Sequence, residues 1–403
     1  MSRLMSRQGI ILAAPVRTPI GKFGGSLAPL SAADLGTAAA RACLERAGLA
    51  AEAVDQTIFG HGRQGGGGPN TARQIGFRAG VPVERPAFTV NQACASGLQS
   101  VFAGARAILL GEARVVLAGG TESMSNTPYM LPRGRWGYRL GHDQIVDGMY
   151  RDGFDDPLSG LVMGATAEEL ADERGITRAQ ADAYALESQH RCERARRSGR
   201  FEAEIAPVEV PGRKGATVVR EDEHPRDGVT REQLAKLPTV FRDGGTVTPG
   251  NASGITDGAA AVIVASEEAA SELGLPMVAR LVDWQVVGVD PRIMGIGPVP
   301  AVEALLGRTG VATDSVDAVE LNEAFATQVV ACLDALDELG LGFDRERVNP
   351  DGGAIALGHP IGCTGARILV TLLHGLARSG GRRGIATLCV SGGMGAAALV
   401  EMV

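Results

Sequence analysis

Aromatic residues are scarce in this chain: Trp, Tyr and Phe together make up 4% of 403 residues. A core with so few rings must be filled by Ala, Val, Leu and Ile at close quarters. The 56 glycines suit that need, because backbones meet closely only where no Cβ intervenes. Positive charge is also in short supply. Lys and Arg number 39 against 46 Asp and Glu, a net charge of −7. No global positive field draws in phosphate, which argues against a general nucleic-acid binder. A local basic site for one anionic ligand stays open. No segment approaches the ~20 apolar residues of a membrane span. The cysteines (Cys43, Cys94, Cys192, Cys332, Cys363 and Cys389) show no CxxC pair and no zinc-ligand spacing, so no metal site is read. Met1 to Gln8 lacks the apolar core of a signal peptide, and the final Val-Glu-Met-Val is not a peroxisomal address. These features predict a cytoplasmic protein with reduced thiols.

What the chain does have is internal similarity. Ala47-Gly-Leu-Ala-Ala-Glu-Ala-Val-Asp55 reads like Thr309-Gly-Val-Ala-Thr-Asp-Ser-Val-Asp317. Each is a helix tail, a Gly stop and a new turn, followed by a strand at Gln56 to Phe59 or Ala318 to Leu321. A second pair follows in the same order. One member is the strand Phe88 to Val90, the helix Ser96 to Leu110 and the strand Val115 to Ala118. The other is the helix Gly365 to Ala377 and the strand Ile385 to Val390. Both helices are apolar or small nearly all round, so both should be buried. The matched order argues for duplicated α/β halves.

The middle of the chain is different. From Ser123 to Asn251 the sequence turns polar, with predicted helices at Gly164 to Arg174 and, behind a Thr177 N-cap, at Arg178 to Ser198. The second is rich in Ala and charge, so it should lie on a surface. This stretch reads as an insertion over one face of the duplicated core, and long insertions commonly carry ligand contacts.

Four segments can carry chemistry. In Asn91-Gln-Ala-Cys94-Ala-Ser-Gly97 a strand leads in and a buried helix leads out. Cys94 is therefore expected at a helix N-terminus, where free N–H groups and the dipole favour a thiolate. A buried structural cysteine is the plain alternative. In Gly352-Gly-Ala-Ile-Ala-Leu-Gly-His359-Pro-Ile-Gly-Cys-Thr-Gly365 a histidine is framed by glycines and fixed by a proline. Its imidazole can accept a thiol proton or donate to an oxyanion, or it can be a satisfied loop residue. In Leu388-Cys389-Val-Ser-Gly-Gly-Met-Gly395 a strand delivers a second Cys into a turn rich in N–H groups. Taken alone, a core Cys ending a strand is the simpler reading there. In Glu320-Leu-Asn322-Glu323-Ala-Phe-Ala326 a strand is expected to end and a helix to begin at once. Asn322 is then the N-cap and Glu323 complements the dipole, unless the Asn322 side chain instead holds a water at the site. All four lie near strand ends, where α/β sheets bind ligands. A cysteine hydrolase would show one Cys, one His and an orienting group. The second Cys has no place in that scheme and points to acyl-cysteine chemistry.

These motifs together resemble the thiolase family over essentially the whole chain. The pattern Asn-x-x-Cys-x-Ser-Gly is met by Asn91 to Gly97, and Asn-Glu-Ala-Phe by 322–325. Gly-Gly-x-Ile-Ala-x-Gly-His-Pro-x-Gly is met by 352–362, and Cys-x-x-Gly-Gly-x-Gly by 389–395. Gly119 to Ser125 and Gly250 to Gly254 look like further family segments.

The resemblance implies an α/β fold of two duplicated mixed-sheet halves in a five-layered α-β-α-β-α arrangement, plus an inserted loop domain. The boundaries would be 1–123, completed by 252–277, for the first half, 124–251 for the loop domain and 278–403 for the second half. It implies a reversible Claisen condensation of two acetyl-CoA to acetoacetyl-CoA and CoA. The alternative is degradative cleavage of longer 3-ketoacyl-CoA in fatty-acid β-oxidation. Cys94 would carry the acyl group, His359 would take its proton, and Cys389 would move the α-proton. Asn322 would hold a water on the substrate thioester oxygen. The backbone N–H groups of Cys94 and Ser391 would form a second oxyanion site.

For coenzyme A, Ser253 would meet the pantetheine, Met163 and Met294 would wall the channel, and Arg226 would lie near the nucleotide. No metal and no cofactor beyond coenzyme A thioesters are implied. Nor is any nucleic-acid or membrane partner. Pro132-Arg-Gly-Arg-Trp-Gly-Tyr-Arg139 resembles a tetramerisation loop, which implies a homotetramer built as a dimer of dimers. Three positions depart from the pattern. Ala95 stands where Gly or Ser is commoner. Val162 replaces a His common in short-chain biosynthetic relatives. Ser391 stands where many relatives have Gly, and a positive φ there would strain the turn.

Overall fold

A computed structural model describes residues 9–403. Met1 to Gln8, read above for a signal peptide, lie outside the described residues. Strands β1 (Ile10–Arg17), β2 (Gln56–Gly60), β3 (Ala87–Val90), β4 (Val115–Ser123) and β5 (Thr256–Ser266) form one half of a sheet. β1, β4 and β5 are buried at every position, as continuous apolar strands are when helices cover both faces. Strands β6 (Met277–Gly288), β7 (Ala318–Leu321), β8 (Arg383–Val390) and β9 (Met394–Met402) form the other half. The order across the whole sheet is β3-β2-β4-β5-β1-β6-β9-β8-β7.

The halves repeat one another in direction as well as order. β5 is antiparallel to β1 and β4, and β2 is parallel to β4 and β3. Correspondingly, β9 is antiparallel to β6 and β8, and β7 is parallel to β8. A parallel bridge from Val319 to Val348 stands where β3 stands in the first half. The seam between halves is short, with Ile11 to Ala13 facing Met277 to Arg280. The duplication expected from the sequence is thus a duplication of sheet topology.

Helices complete five layers. The Ala32–Ala47 helix covers the outer face of the first half, and the Pro298–Thr309 and Ala326–Glu338 helices lie on the second-half side. Between the halves lie the equivalent helices Ser96–Leu109 and Ile361–Ser379, packed on each other. Their crossing depends on glycine. A Cβ on Gly97 would stand 2.6 Å from the Ala366 nitrogen, and one on Gly365 would stand 2.5 Å from that of Leu98. The N-termini of both helices therefore meet, and the segments just before them carry Cys94 and His359.

One expectation changes here. The helix after β7 does not start at Asn322; it starts at Ala326, with Phe325 at the cap position. Asn322 extends the ladder instead, donating its backbone N–H to Thr387 O at 2.9 Å, and Glu323 is drawn into the core rather than exposed on a first turn. The Arg178–Arg197 helix lies at a surface as expected, burying one face through Ala181, Ala185, Cys192 and Ala195 while Ala183, Arg194 and Arg197 stay exposed. Its Thr177 N-cap is present as expected, and Gln180 completes a capping box. Among the described residues no helix is long and apolar enough to cross a membrane.

Candidate active site

Cys94 sits in a tight helical turn, Ala93–Ala95, immediately before the Ser96–Leu109 helix. Ala93 has φ +43°, a left-handed conformation that a residue with a Cβ adopts at a cost. The motif residues hold it there. Asn91 Oδ1 accepts from the Ala93 N–H at 3.0 Å, and the Asn91 amide donates to Gly62 O at 2.9 Å. Ser96 Oγ accepts from the Gln92 N–H at 2.9 Å and donates to Ala93 O at 2.6 Å. Asn91 and Ser96 thus shape the elbow that presents the sulfur.

Burial raises the Cys94 thiol above its ordinary pKa. The N–H groups of Ser391 and of Cys94 itself, with the Arg63 guanidinium, pull it down without reversing the shift. The resting group is a thiol, which corrects the thiolate expected from the helix N-terminus alone. Desolvation outweighs the dipole.

His359 is buried, and burial, aided by the cations of Arg367 and Arg63, lowers it to about 3. It rests as neutral imidazole. Its Nδ1 lies 2.6 Å from Thr364 Oγ1, and that hydroxyl donates its one proton to Pro360 O at 3.0 Å. Thr364 must therefore accept from Nδ1–H, which leaves the lone pair on Nε2. The backbone N–H of His359 donates to Gly254 O at 3.0 Å. Cys389, at the end of β8, is fully buried; burial, with Cys94 close by, raises it well above the ordinary thiol value.

One cavity of about 220 Å3 collects these groups. Cys94, His359, Cys389 and Ser391 lie on its wall, as do Met163, Met294 and Ser253. Val162, Tyr150, Phe154 and Phe241 make the wall largely apolar. Asn322 is not on the wall, though Ala324 and Phe325 are. Its side-chain oxygen and nitrogen are buried with no partner among the described residues, as suits groups that hold water. Arg226 is exposed and off the wall; two residues earlier, His224 packs against Gly254, which is on it. The turn after Cys389 places its positive φ angles at Gly392 (+85°) and Gly393 (+81°), not at Ser391. Serine is therefore unstrained at that position.

Sequence reasoning missed several neighbours. Glu122 is buried; its Oε2 accepts from the N–H groups of Gly62 at 3.1 Å and Gly362 at 2.8 Å. Its Oε1 lies 3.1 Å from His61 Nε2. Burial opposes its ionisation, but His61, Arg63 and the Gly362 N–H hold it below the usual carboxylate value. It ties a first-half loop to the helix behind His359. Arg63 is buried beside Phe154, its guanidinium 4.9 Å from the ring centre, and burial lowers its pKa. Only a carboxylate inside the Gly119–Ser125 segment hinted at this arrangement. Among the described residues no group of three or more His, Cys, Asp and Glu is placed to hold a metal.

Two thiols and a neutral imidazole sharing the wall of one largely apolar cavity suit acyl transfer. The model of the thiolase N-terminal domain matches residues 10–268 and that of the thiolase C-terminal domain residues 275–402. The chain belongs to the thiolase family. An acetyl-CoA acetyltransferase of Syntrophomonas wolfei is 47% identical over 399 residues, covering 98% of this chain and 100% of that protein. The crystal structure of the Bacillus anthracis acetyl-CoA acetyltransferase superposes with a TM-score of 0.94 at 43% identity, covering 98% of this chain and 99% of that one. Human mitochondrial 3-ketoacyl-CoA thiolase in complex with CoA gives 0.93 at 43% identity, covering 98% of each chain.

Proposed function

We propose that this chain is an acetyl-CoA C-acetyltransferase that makes and cleaves acetoacetyl-CoA through an acyl-Cys94 intermediate. The observation that carries the reading is the convergence of Cys94, His359 and Cys389, distant in sequence, on one cavity wall. In the cleavage direction His359 Nε2 accepts the Cys94 proton as the sulfur attacks the 3-keto carbon. The C2–C3 bond then breaks. Cys389 gives its proton to the departing enolate, and acetyl-CoA leaves. The Cys389 thiolate takes the proton of an incoming CoA thiol, whose sulfur attacks the thioester. Cys94 departs and recovers its proton from His359. Condensation is the reverse. Negative oxygen forms at two places. The N–H groups of Cys94 and Ser391 serve the acyl carbon, and His359 with the water on Asn322 serves the substrate thioester.

Coenzyme A lies along Ser253, Met163 and Met294 in this reading, with Arg226 near the nucleotide. We assign 1–123 with 252–277 to the first half, 124–251 to the loop domain and 278–403 to the second half. The protein works as a cytoplasmic homotetramer. The exposed Trp136 (84%) and Leu140 beside the Arg133–Arg139 stretch support that assembly as apolar side chains that a partner would cover.

Peptide mass spectrometry after a short acetyl-CoA pulse tests the mechanism. The acetyl label is expected on Cys94 and on none of Cys43, Cys192, Cys332 or Cys363. A label elsewhere, or none, refutes it. The second reading, a 3-ketoacyl-CoA thiolase for longer chains, is favoured by the apolar Val162, Tyr150 and Phe241 on the wall. A chain-length series separates the two, and best turnover at eight carbons or longer selects the second.

A further inference from the structure

Glu323 has no part in the chemistry above, yet its carboxylate is fully buried and fully bonded. Oε1 accepts from the Tyr184 hydroxyl at 2.8 Å and from Asn349 Nδ2 at 3.0 Å. Oε2 accepts from Ser188 Oγ at 2.7 Å and from the Ile355 N–H at 3.1 Å. Three parts of the fold meet at this one group. Tyr184 and Ser188 lie one turn apart on the Arg178–Arg197 helix of the insertion. Ile355 belongs to the turn Ala354–Leu357 that leads into His359. Asn349 secures the end of β7: its Oδ1 accepts from the Leu321 N–H at 2.9 Å and its Nδ2 donates to Leu321 O at 2.8 Å. Asn349 adopts φ +47° to do so.

The two groups expected to hold the substrate thioester oxygen depend on this carboxylate unequally. His359 has anchors of its own, Thr364 on its ring and Gly254 O on its N–H. The Asn322 side chain has none among the described residues. Its aim is set by its backbone alone, through the bond to Thr387 O on one side and the adjoining Glu323 on the other.

We propose that Glu323 is a positioning residue that aims Asn322, and the water it holds, at the substrate oxygen opposite His359. The proposal rests on the reading of Asn322 given above. A carboxylate suits the role because it accepts all four bonds at once, where an amide would turn its NH2 toward two donors. Displacement of the oxyanion site by a fraction of an ångström then slows the carbon–carbon step and leaves acylation of Cys94, which uses the Cys94 and Ser391 N–H groups, largely untouched.

The test compares two reactions of the intact enzyme. Acetyl exchange between acetyl-CoA and isotopically labelled CoA reports acylation alone. Thiolysis of acetoacetyl-CoA includes the carbon–carbon step. In Glu323→Gln, thiolysis kcat should fall about 30-fold while KM and exchange change less than about 3-fold. Tyr184→Phe and Ser188→Ala each remove one donor to the carboxylate and should show the same split at about 3- to 10-fold. These two guard against a Glu323 variant that fails to fold. Loss of folded protein lowers both reactions equally, so an equal loss in all three variants overturns the proposal, as does full activity in all three. Asn322→Ala is the control on the underlying reading. A split there without one in the Glu323, Tyr184 and Ser188 variants sinks the proposal alone. No split in Asn322→Ala sinks the reading and the proposal together.

Discussion

At Cys94 the free N–H groups and the Arg63 cation favour a thiolate, while removal from water favours the thiol, and the second effect wins. His359 is held neutral for the same reason, with a pKa near 3. The resting pair is therefore uncharged, and in the mechanism proposed above the thiolate forms only as its proton passes to Nε2 during attack. A preformed thiolate–imidazolium pair would react with iodoacetamide at a constant rate between the two pKa values. The neutral pair behaves differently. Since the thiol titrates above its ordinary value, alkylation of Cys94 in the free enzyme should rise about tenfold per pH unit from pH 6 to 8.5. No inflection from an imidazole should appear near pH 6.5. A plateau between pH 5 and 8 would show that the N–H groups, not burial, set the state of the sulfur.

The same competition between local preference and packing governs the central helices. By helix propensity alone, Gly97→Ala should stabilise the Ser96–Leu109 helix by up to about 1 kcal/mol. The new Cβ would stand 2.6 Å from a backbone nitrogen and 3.0 Å from Cys363 O, neither of which can move without shifting the opposite helix. Overpacking should dominate, costing about 2–3 kcal/mol in denaturant unfolding and most of the activity, because Cys94 lies three residues away. Gly307 is the matched control. It sits on the exposed side of the Pro298–Thr309 helix with no described atom beyond its own helix within 4 Å of its absent Cβ. Gly307→Ala should gain about 0.5–1 kcal/mol and leave kcat unchanged. Equal effects at the two sites would mean that the crossing does not depend on Gly97.

These elements also mark how far the sequence could be read. The central helices and the strands before them announced themselves by composition. Cys94, His359 and Cys389 stood out because glycines and a proline frame them. Asn322 misled, because its type suits an N-cap, while the helix starts four residues later, at Ala326, after Glu323 has turned inward to donors on a distant helix and loop. Glu122 and Arg63 gave little signal, since their partners lie up to 240 residues away and only the fold brings them together. The left-handed Ala93 was illegible for another reason: nothing in an alanine announces that Asn91 and Ser96 will force its backbone.

For the whole molecule the open matter is what binds the insertion to the duplicated core, and the contact is ionic as well as apolar. Arg17, at the end of β1, is fully buried and carries two carboxylates from the insertion. Its Nε lies 2.6 Å from Glu204 Oε1, and its Nη1 and Nη2 meet Asp222 at 2.6 and 2.9 Å. Burial alone would lower its pKa, but Asp222 and Glu204 outweigh that and raise it. The backbone joins in, with the Arg17 N–H donating to Glu204 O at 2.9 Å and the Ala206 N–H to Arg17 O at 2.7 Å. Such a cluster contributes little net stability when intact but a large penalty when broken, because the remaining charges stay buried. Arg17→Met strands both carboxylates and should cost about 3–5 kcal/mol. The insertion should loosen first, so proteolysis should cut within 124–251 before the sheet gives way. Adding Glu204→Gln and Asp222→Asn removes the stranded charge and should recover about half of that loss, although the chain then carries fewer ionic contacts. A triple variant no more stable than Arg17→Met would show that the guanidinium acts by filling space rather than by neutralising charge.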